Sequence, residues 1–129
     1  MQNRNSMAAV LKSLKMLDSK TLEVRYHDNV QVGLPEIQDL MDDLYEFTEN
    51  RPLKRLIICT EKSTMNREAR AYLQNENKRH SETIIAEAVV VTSFTQKMST
   101  NFYLSFMKNV FPSKFFTDEA KALEWLNQH

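Results

Sequence analysis

Residues 84–91 read Ile-Ile-Ala-Glu-Ala-Val-Val-Val, and this stretch decides the fold. It is rich in β-branched residues and is interrupted only by Ala86–Ala88, so it predicts a strand. A second run, Leu56–Cys59, is also almost continuously apolar. Strands without polar alternation are typical of parallel sheets whose two faces are both covered. We therefore expect these two segments at the centre of a largely parallel sheet.

Helical patterns separate the predicted strands. Pro35 can open a first helix, and Ser63 or Thr64 can cap a second. A third helix is predicted from about residue 94 to 110, and Thr117 can cap a last one. Strands that alternate with helices imply right-handed crossovers and a mostly parallel sheet.

The N-terminal third adds an antiparallel part. Residues 22–26 alternate between apolar and polar, Asp28 and Asn29 supply turn chemistry, and residues 30–34 resume the alternation. This pattern predicts a β-hairpin, so the sheet should be mixed. Residues 1–20 fit either a helix or an edge strand, and Lys114–Phe116 fits a short edge strand.

Composition restricts the functional class. The chain has 129 residues and fits one domain spanning residues 1–129, with disorder of residues 1–9 as an open alternative. Its 17 Lys+Arg balance 17 Asp+Glu, which disfavours a nucleic-acid partner. No run approaches the ~18 apolar residues that a membrane span needs, so no transmembrane segment is expected. The single Cys59 fits a reducing compartment, and we expect a cytoplasmic protein.

Signals for catalysis and cofactors are weak. Gly33 is the only glycine, so the glycine-rich phosphate-binding loops cannot form, and we expect no cofactor. His27, His80 and His129 lie far apart in sequence, so we expect no metal site. Cys59 sits in an apolar strand, where a thiol usually packs as a small hydrophobe. The acidic residues of the first helix are expected on its solvated face: Asp39, Asp42, Asp43, Glu46 and Glu49.

Two segments could carry function. The loop Thr60–Arg67 follows a predicted parallel strand, at the end where α/β sheets tend to place functional surfaces. Ser63 and Thr64 are either helix caps or phospho-acceptors there, and Arg67 could steer an acidic partner. The helix from residue 94 to 110 carries more apolar residues than one narrow stripe can hold, which leaves a wide core, an apolar ligand or a dimer partner to cover them. The residues of this candidate surface are Phe94, Met98, Phe102, Tyr103, Phe106 and Met107.

The C-terminal third resembles a known group. Residues 86–93 read AEAVVVTS, residues 101–106 read NFYLSF, and residues 111–126 read FPSKFFTDEAKALEWL. These motifs are similar to those of the bacterial STAS/SpoIIAA-like proteins, in particular the small stand-alone set also called STAS/SEC14-like. The remainder of the chain agrees in element order. The matching positions are Asn101, Phe102, Pro112, Phe116, Thr117, Asp118, Glu119, Ala122, Leu123, Trp125 and Leu126.

The resemblance implies an α/β fold of the SpoIIAA-like (STAS) type, with a mixed four- to five-stranded sheet and helices packed mainly on one side. It also implies protein–protein regulation or the binding of an apolar small molecule. Anti-sigma antagonists of this group carry a phosphorylatable serine next to glycine-containing residues. The corresponding junction here, residues 61–65, has no glycine, which puts switching by a partner kinase in doubt. If this chain is nevertheless phosphorylated, Ser63 is the first candidate acceptor and Thr64 the second.

Three functions follow from this interpretation. The first hypothesis is a non-enzymatic regulatory module that binds an unidentified protein partner. The alternative is a carrier of an apolar or lipid-like small molecule, in the manner of SEC14-like proteins. An enzyme is disfavoured because no catalytic constellation is visible. A homodimer is a further expectation, drawn from the apolar helix surface.

Overall fold

A mixed five-stranded sheet forms the centre of the computed structural model, which describes residues 9–60, 62–91 and 110–129. Its strands are β1 (Leu11–Met16), β2 (Thr21–Tyr26), β4 (Leu53–Cys59), β6 (Ile84–Val91) and β7 (Ser113–Phe116). They lie in the order β1-β2-β4-β6-β7; β1 is antiparallel to β2, and the other neighbours are parallel. The expected α/β class and mixed sheet are confirmed.

Two further strands form a small sheet of their own. They are β3 (Gln31–Val32) and β5 (Thr64–Met65), and they pair in parallel. The described helices are α1 (Leu34–Thr48), α2 (Arg67–Arg79) and α3 (Glu119–Leu126), and a 3-10 turn covers Ser81–Thr83.

The N-terminal hairpin was predicted with the wrong partner. β2 does not pair with residues 30–34; it pairs with β1 through a turn in which the Lys20 amide donates to Asp18 Oδ1 at 2.8 Å. The other edge of β2 is occupied by β4, so residues 30–34 cannot pair there. Of the two alternatives for residues 1–20, the edge strand is therefore right for residues 11–16.

Each face of the sheet carries its own apolar core. Val24, Ile57 and Val89 lie on the face that α1 and α2 cover. Leu56, Ala88 and other residues of opposite parity lie on the face that α3 covers. Two of the three described helices thus share one face, which agrees with helices placed mainly on one side. Because β4 and β6 are buried on both faces, their sequences lack polar alternation.

Helix capping differs from the prediction at both predicted caps. The side chain of Asn66, not Ser63 or Thr64, caps α2 by accepting a hydrogen bond from the Ala69 amide at 2.9 Å. Asp118, not Thr117, caps α3 through the Ala120 amide at 2.8 Å. In both cases a short side-chain acceptor immediately before the helix reaches the free amides of the first turn.

Candidate functional site

The predicted functional loop is held against a second loop. The Thr64 amide donates to the Val30 carbonyl at 2.8 Å, and the Asn66 amide donates to the Val32 carbonyl at 3.1 Å. These bonds join the connection that follows β2 to the connection that follows β4. The two segments therefore form one continuous surface at the carboxyl end of the sheet, where sequence reasoning expected it. We call this surface, formed by residues 30–33 and 63–67, the loop platform.

The three predicted residues of this loop have different exposures. Ser63 is fully buried, and its hydroxyl donates to the His27 carbonyl at 3.4 Å. Thr64 and Arg67 are exposed on the loop platform. Of the two candidate phospho-acceptors, only Thr64 therefore presents its side chain to solvent. Whether either hydroxyl is modified stays a prediction.

A hollow of about 350 Å³ lies on the loop platform, between the first turns of α1 and α2. Glu36 reaches back from α1 and accepts a hydrogen bond from the Gly33 amide at 2.9 Å. A Cβ atom on residue 33 would lie 2.6 Å from an oxygen of that carboxylate, so a larger residue there would require the Glu36 side chain to shift. The hollow is lined by Gln31, Val32, Gly33, Glu36, Thr64, Met65 and Asn66. Its mixed lining suits hydrogen bonding to a partner's polar groups.

A buried ion pair that sequence reasoning missed lies beneath α2. Arg55 Nη2 lies 2.7 Å from Glu87 Oε2, with the two side chains 8% and 2% exposed. The same nitrogen donates to Asn77 Oδ1 at 2.9 Å, which connects the sheet to α2. Burial raises the pKa of Glu87, and the charge of Arg55 opposes the rise. A signal was available: Glu87 is the one charge in the otherwise apolar β6, and β4 carries the opposite charge of Arg55 beside an apolar run.

A second polar group connects α1 to the end of α2. Glu76 is buried; it accepts a hydrogen bond from the Tyr45 hydroxyl at 3.1 Å and lies 3.3 Å from His80 Nε2. Arg79 Nη1 lies 3.0 Å from its other oxygen. The Tyr45 and His80 rings stack with centroids 4.2 Å apart. Burial, followed by the charge of Glu76, raises the pKa of Tyr45. These contacts hold the two helices together.

The remaining reactive groups are spread through the described residues. Cys59 is buried in the core, as expected, and this burial raises the pKa of its thiol to about 12. In residues 9–60, 62–91 and 110–129, no three His, Cys, Asp or Glu side chains stand close enough to hold a metal ion. Within those same ranges, no helix has both the length and the apolar character to cross a membrane.

Two other sequence expectations have different outcomes. Asp43 was expected on the solvated face of α1 but is buried, since it falls next to Leu44 on the inward side of the helix. Asp42 and Glu46 are exposed as predicted. The candidate apolar surface of residues 94–107 lies outside the described residues, so it stays a prediction.

Comparisons with known proteins give a family for the chain and a solved structure with a similar fold. The family model described as "Domain of unknown function (DUF7793)" matches residues 16–129. A crystal structure of an uncharacterized protein from the DUF3478 family of Shewanella loihica PV-4, which has a SpoIIAA-like fold, is similar to this chain with a TM-score of 0.63. The two chains are 16% identical, and the similarity covers 88% of this chain and 90% of the other. No curated protein matches the sequence. The resemblance to SpoIIAA-like proteins is thereby confirmed at the level of the fold.

Proposed function

The chain belongs to the DUF7793 family, a domain of unknown function, and on that premise we propose that it is a regulatory protein-interaction module of the SpoIIAA-like type and not an enzyme. The observation that carries this proposal is the loop platform, in which β3 and β5 hold two loops together at the carboxyl end of the sheet. Main-chain bonds fix these loops before any partner arrives. A pre-ordered surface loses less conformational entropy on binding than free loops do.

The exposed groups of the platform suit a polar or acidic partner. Arg67 is exposed at the first residue of α2, and Thr64 is exposed beside it. A guanidinium can bind a partner carboxylate through two parallel hydrogen bonds. Addition of a phosphate to Thr64 would place negative charge close to Arg67 and change what the platform attracts. Thr64 is therefore the accessible position through which binding could be regulated.

The internal contacts of the reactive groups support a non-enzymatic role. Glu87 and Glu76 are each engaged by buried or partly buried partners beneath the helices. The high pKa of Cys59 keeps its sulfur as an unreactive thiol at neutral pH. In the described part of the chain, these groups stabilise the fold and do not converge on an open cleft. We further propose a cytoplasmic location, because the buried Cys59 is a free thiol.

A charge reversal on the platform tests the proposal. Tagged wild-type protein and the Arg67→Glu variant are used for affinity capture from extracts of the native cell. The matched control is Lys20→Glu, an exposed charge in the turn at the opposite end of the sheet. We expect a defined protein that is retained by the wild type and by Lys20→Glu and is lost with Arg67→Glu. Equal retention by all three forms, or no specific retention by any, would contradict the proposal.

Native mass spectrometry separates this function from the alternative carrier role. Among the described residues, the two spaces that border Arg55 between the sheet and α1 and α2 have volumes of about 20 Å³ each, enough for a water but not for a lipid-like molecule. If the protein is an interaction module, we expect the bare protein mass after gentle purification. An apolar molecule that stays bound would contradict the interaction proposal and support the carrier role. The same spectra test the proposed homodimer, since a mass of one chain at all concentrations would exclude it.

A further inference from the structure

The ion pair between Arg55 and Glu87 leaves two buried atoms without partners. Oε1 of Glu87 and Nε of Arg55 have no hydrogen-bond partner among the described protein groups, although both atoms are shielded from solvent. The other carboxylate oxygen already contacts Arg55 Nη2, and that nitrogen also donates to Asn77. One acceptor and one donor of the same pair are thus unsatisfied.

Such atoms are rarely left bare in a folded protein. A buried polar atom that has lost its hydration without gaining a partner destabilises the folded state, and a charged group does so more strongly. Native structures usually satisfy such atoms with protein groups or with ordered water. Most of the side chains around this pair are apolar: Val24, Leu40, Met41, Leu44, Ile57 and Leu73. The polar neighbours are Tyr26 and Asn77, and neither is hydrogen-bonded to Glu87 Oε1 or to Arg55 Nε.

The structure also contains room for one water molecule at this position. A space of about 20 Å³ is bordered by Arg55, Asn77 and Glu87 together with the aliphatic residues named above. That volume exceeds the roughly 10–15 Å³ that one water requires and is too small for an organic ligand. A second space of similar size borders Arg55 from the side of Asn50 and Arg51, which are exposed.

We propose that one ordered water molecule occupies the space beside the Arg55–Glu87 pair, accepts a hydrogen bond from Arg55 Nε and donates one to Glu87 Oε1. This water completes the hydrogen bonding of the pair and makes it a polar joint between the sheet and α2. It also explains how a charged pair persists in an otherwise aliphatic layer, since a fully satisfied network avoids the penalty of a partly satisfied one. The site takes water alone and would exclude larger polar molecules.

A crystal structure of the wild-type protein that shows ordered solvent tests this proposal. We expect one well-ordered water within about 3 Å of both Glu87 Oε1 and Arg55 Nε. An empty space, a water that contacts only one of the two atoms, or a protein group bonded to Oε1 would each overturn it.

Two variants keep the test informative. In Arg55→Met/Glu87→Leu both polar partners are replaced by aliphatic side chains of similar size, so we expect the water to be lost while the sheet keeps its register. Lys54→Met is the matched control, because it replaces a cation on the same strand whose side chain points to the other face. The control should retain the water. A water that persists in the double variant would show that other groups hold it and would overturn the assignment.

Discussion

Arg55 and Glu87 are direct neighbours in the parallel register of β4 and β6, and their charged groups meet 2.7 Å apart beneath α2. A slip of one residue between these strands would turn one charge to the opposite face of the sheet. The remaining charge would then be buried without its partner. The pair therefore favours one register in two strands whose apolar sequences would tolerate others.

Removal of one partner should destabilise the protein strongly. In Arg55→Met the Glu87 carboxylate stays buried without its cation, and we expect the free energy of unfolding to fall by about 3–5 kcal/mol. Arg55→Met/Glu87→Leu should be closer to the wild type than Arg55→Met, because no charge is left behind. Urea denaturation measures all three. Lys54→Met is the control and should change stability by less than about 0.5 kcal/mol. A double variant as unstable as Arg55→Met would contradict this account.

The pH dependence of stability should report on Glu87. Burial raises the pKa of this carboxyl above its ordinary value of 4.5. Between pH 4.5 and the raised native pKa, the unfolded chain has lost the proton while the native chain keeps it. The native state therefore binds more protons, and the free energy of unfolding falls as pH rises through this window.

The Glu87→Gln variant checks the assignment of that slope. In denaturation series from pH 4.5 to neutrality, Glu87 should lower the free energy of unfolding of the wild type as pH rises. This contribution should be absent in the variant. Asp18 acts in the opposite sense, because a hydrogen bond from the Lys20 amide lowers its pKa from 3.8, so its stabilisation is lost only at lower pH. Parallel curves for the wild type and Glu87→Gln above pH 4.5 would exclude Glu87 as the source.

Cys59 should resist thiol reagents until the protein unfolds. The sulfur is buried, and burial raises the pKa of the thiol from 9.0 to about 12. We expect labelling by an aromatic disulfide reagent at neutral pH to be at least ~100-fold slower in the native protein than in the urea-unfolded chain, since both access and thiolate content are reduced. Absorbance of the released thiolate follows the reaction. Comparable rates in the two states would show that β4 opens readily.

The cap of α2 can be assigned by substitution. Asn66 Oδ1 accepts from the Ala69 amide, so Asn66→Ala should lower the free energy of unfolding by about 1 kcal/mol, whereas Asn66→Asp should preserve it. Thr64→Ala is the control, because Thr64 is exposed in β5; it should change stability by less than about 0.5 kcal/mol. Urea denaturation distinguishes the variants. A larger loss of stability in Thr64→Ala than in Asn66→Ala would indicate that Thr64 caps α2, as predicted from sequence.

Local patterns predicted the elements but not their partners. Residues 84–91 form a strand because of their own β-branched content, and α1 follows from its helical spacing of apolar residues. The partner of β2 could not be predicted, because residues 11–16 and 30–34 both offered suitable segments. The outcome depends on β4, which occupies the inner edge of β2.

For the candidate site too, the position along the chain could be predicted but the tertiary contacts could not. The loop Thr60–Arg67 was placed correctly after a parallel strand, because chain order alone fixes that position. The burial of Ser63 could not be predicted, because its hydroxyl meets the carbonyl of His27, which is distant in sequence. The pairing of Arg55 with Glu87 likewise requires the register of two strands that are distant in sequence. Both features depend on tertiary contacts, which residue spacing does not reveal.

Acidic substitutions should separate the two hydroxyls of the loop. Ser63→Asp would place a carboxylate at a fully buried position next to the His27 carbonyl, where desolvation and repulsion from that oxygen both act against it. We expect the free energy of unfolding to fall by more than about 2 kcal/mol. Thr64→Asp lies at an exposed position close to Arg67 and should stay within about 0.5 kcal/mol of the wild type.

Ser63→Ala is the matched control, because it removes the hydroxyl without adding charge. It should cost only about 1 kcal/mol, the contribution of a single hydrogen bond. Thermal and urea denaturation compare the three variants directly. If Ser63→Asp were as stable as Thr64→Asp, the loop would have to open easily, and Ser63 would again be the first candidate for phosphorylation. If the order is as expected, a charge can be added to this surface at Thr64 without unfolding the platform.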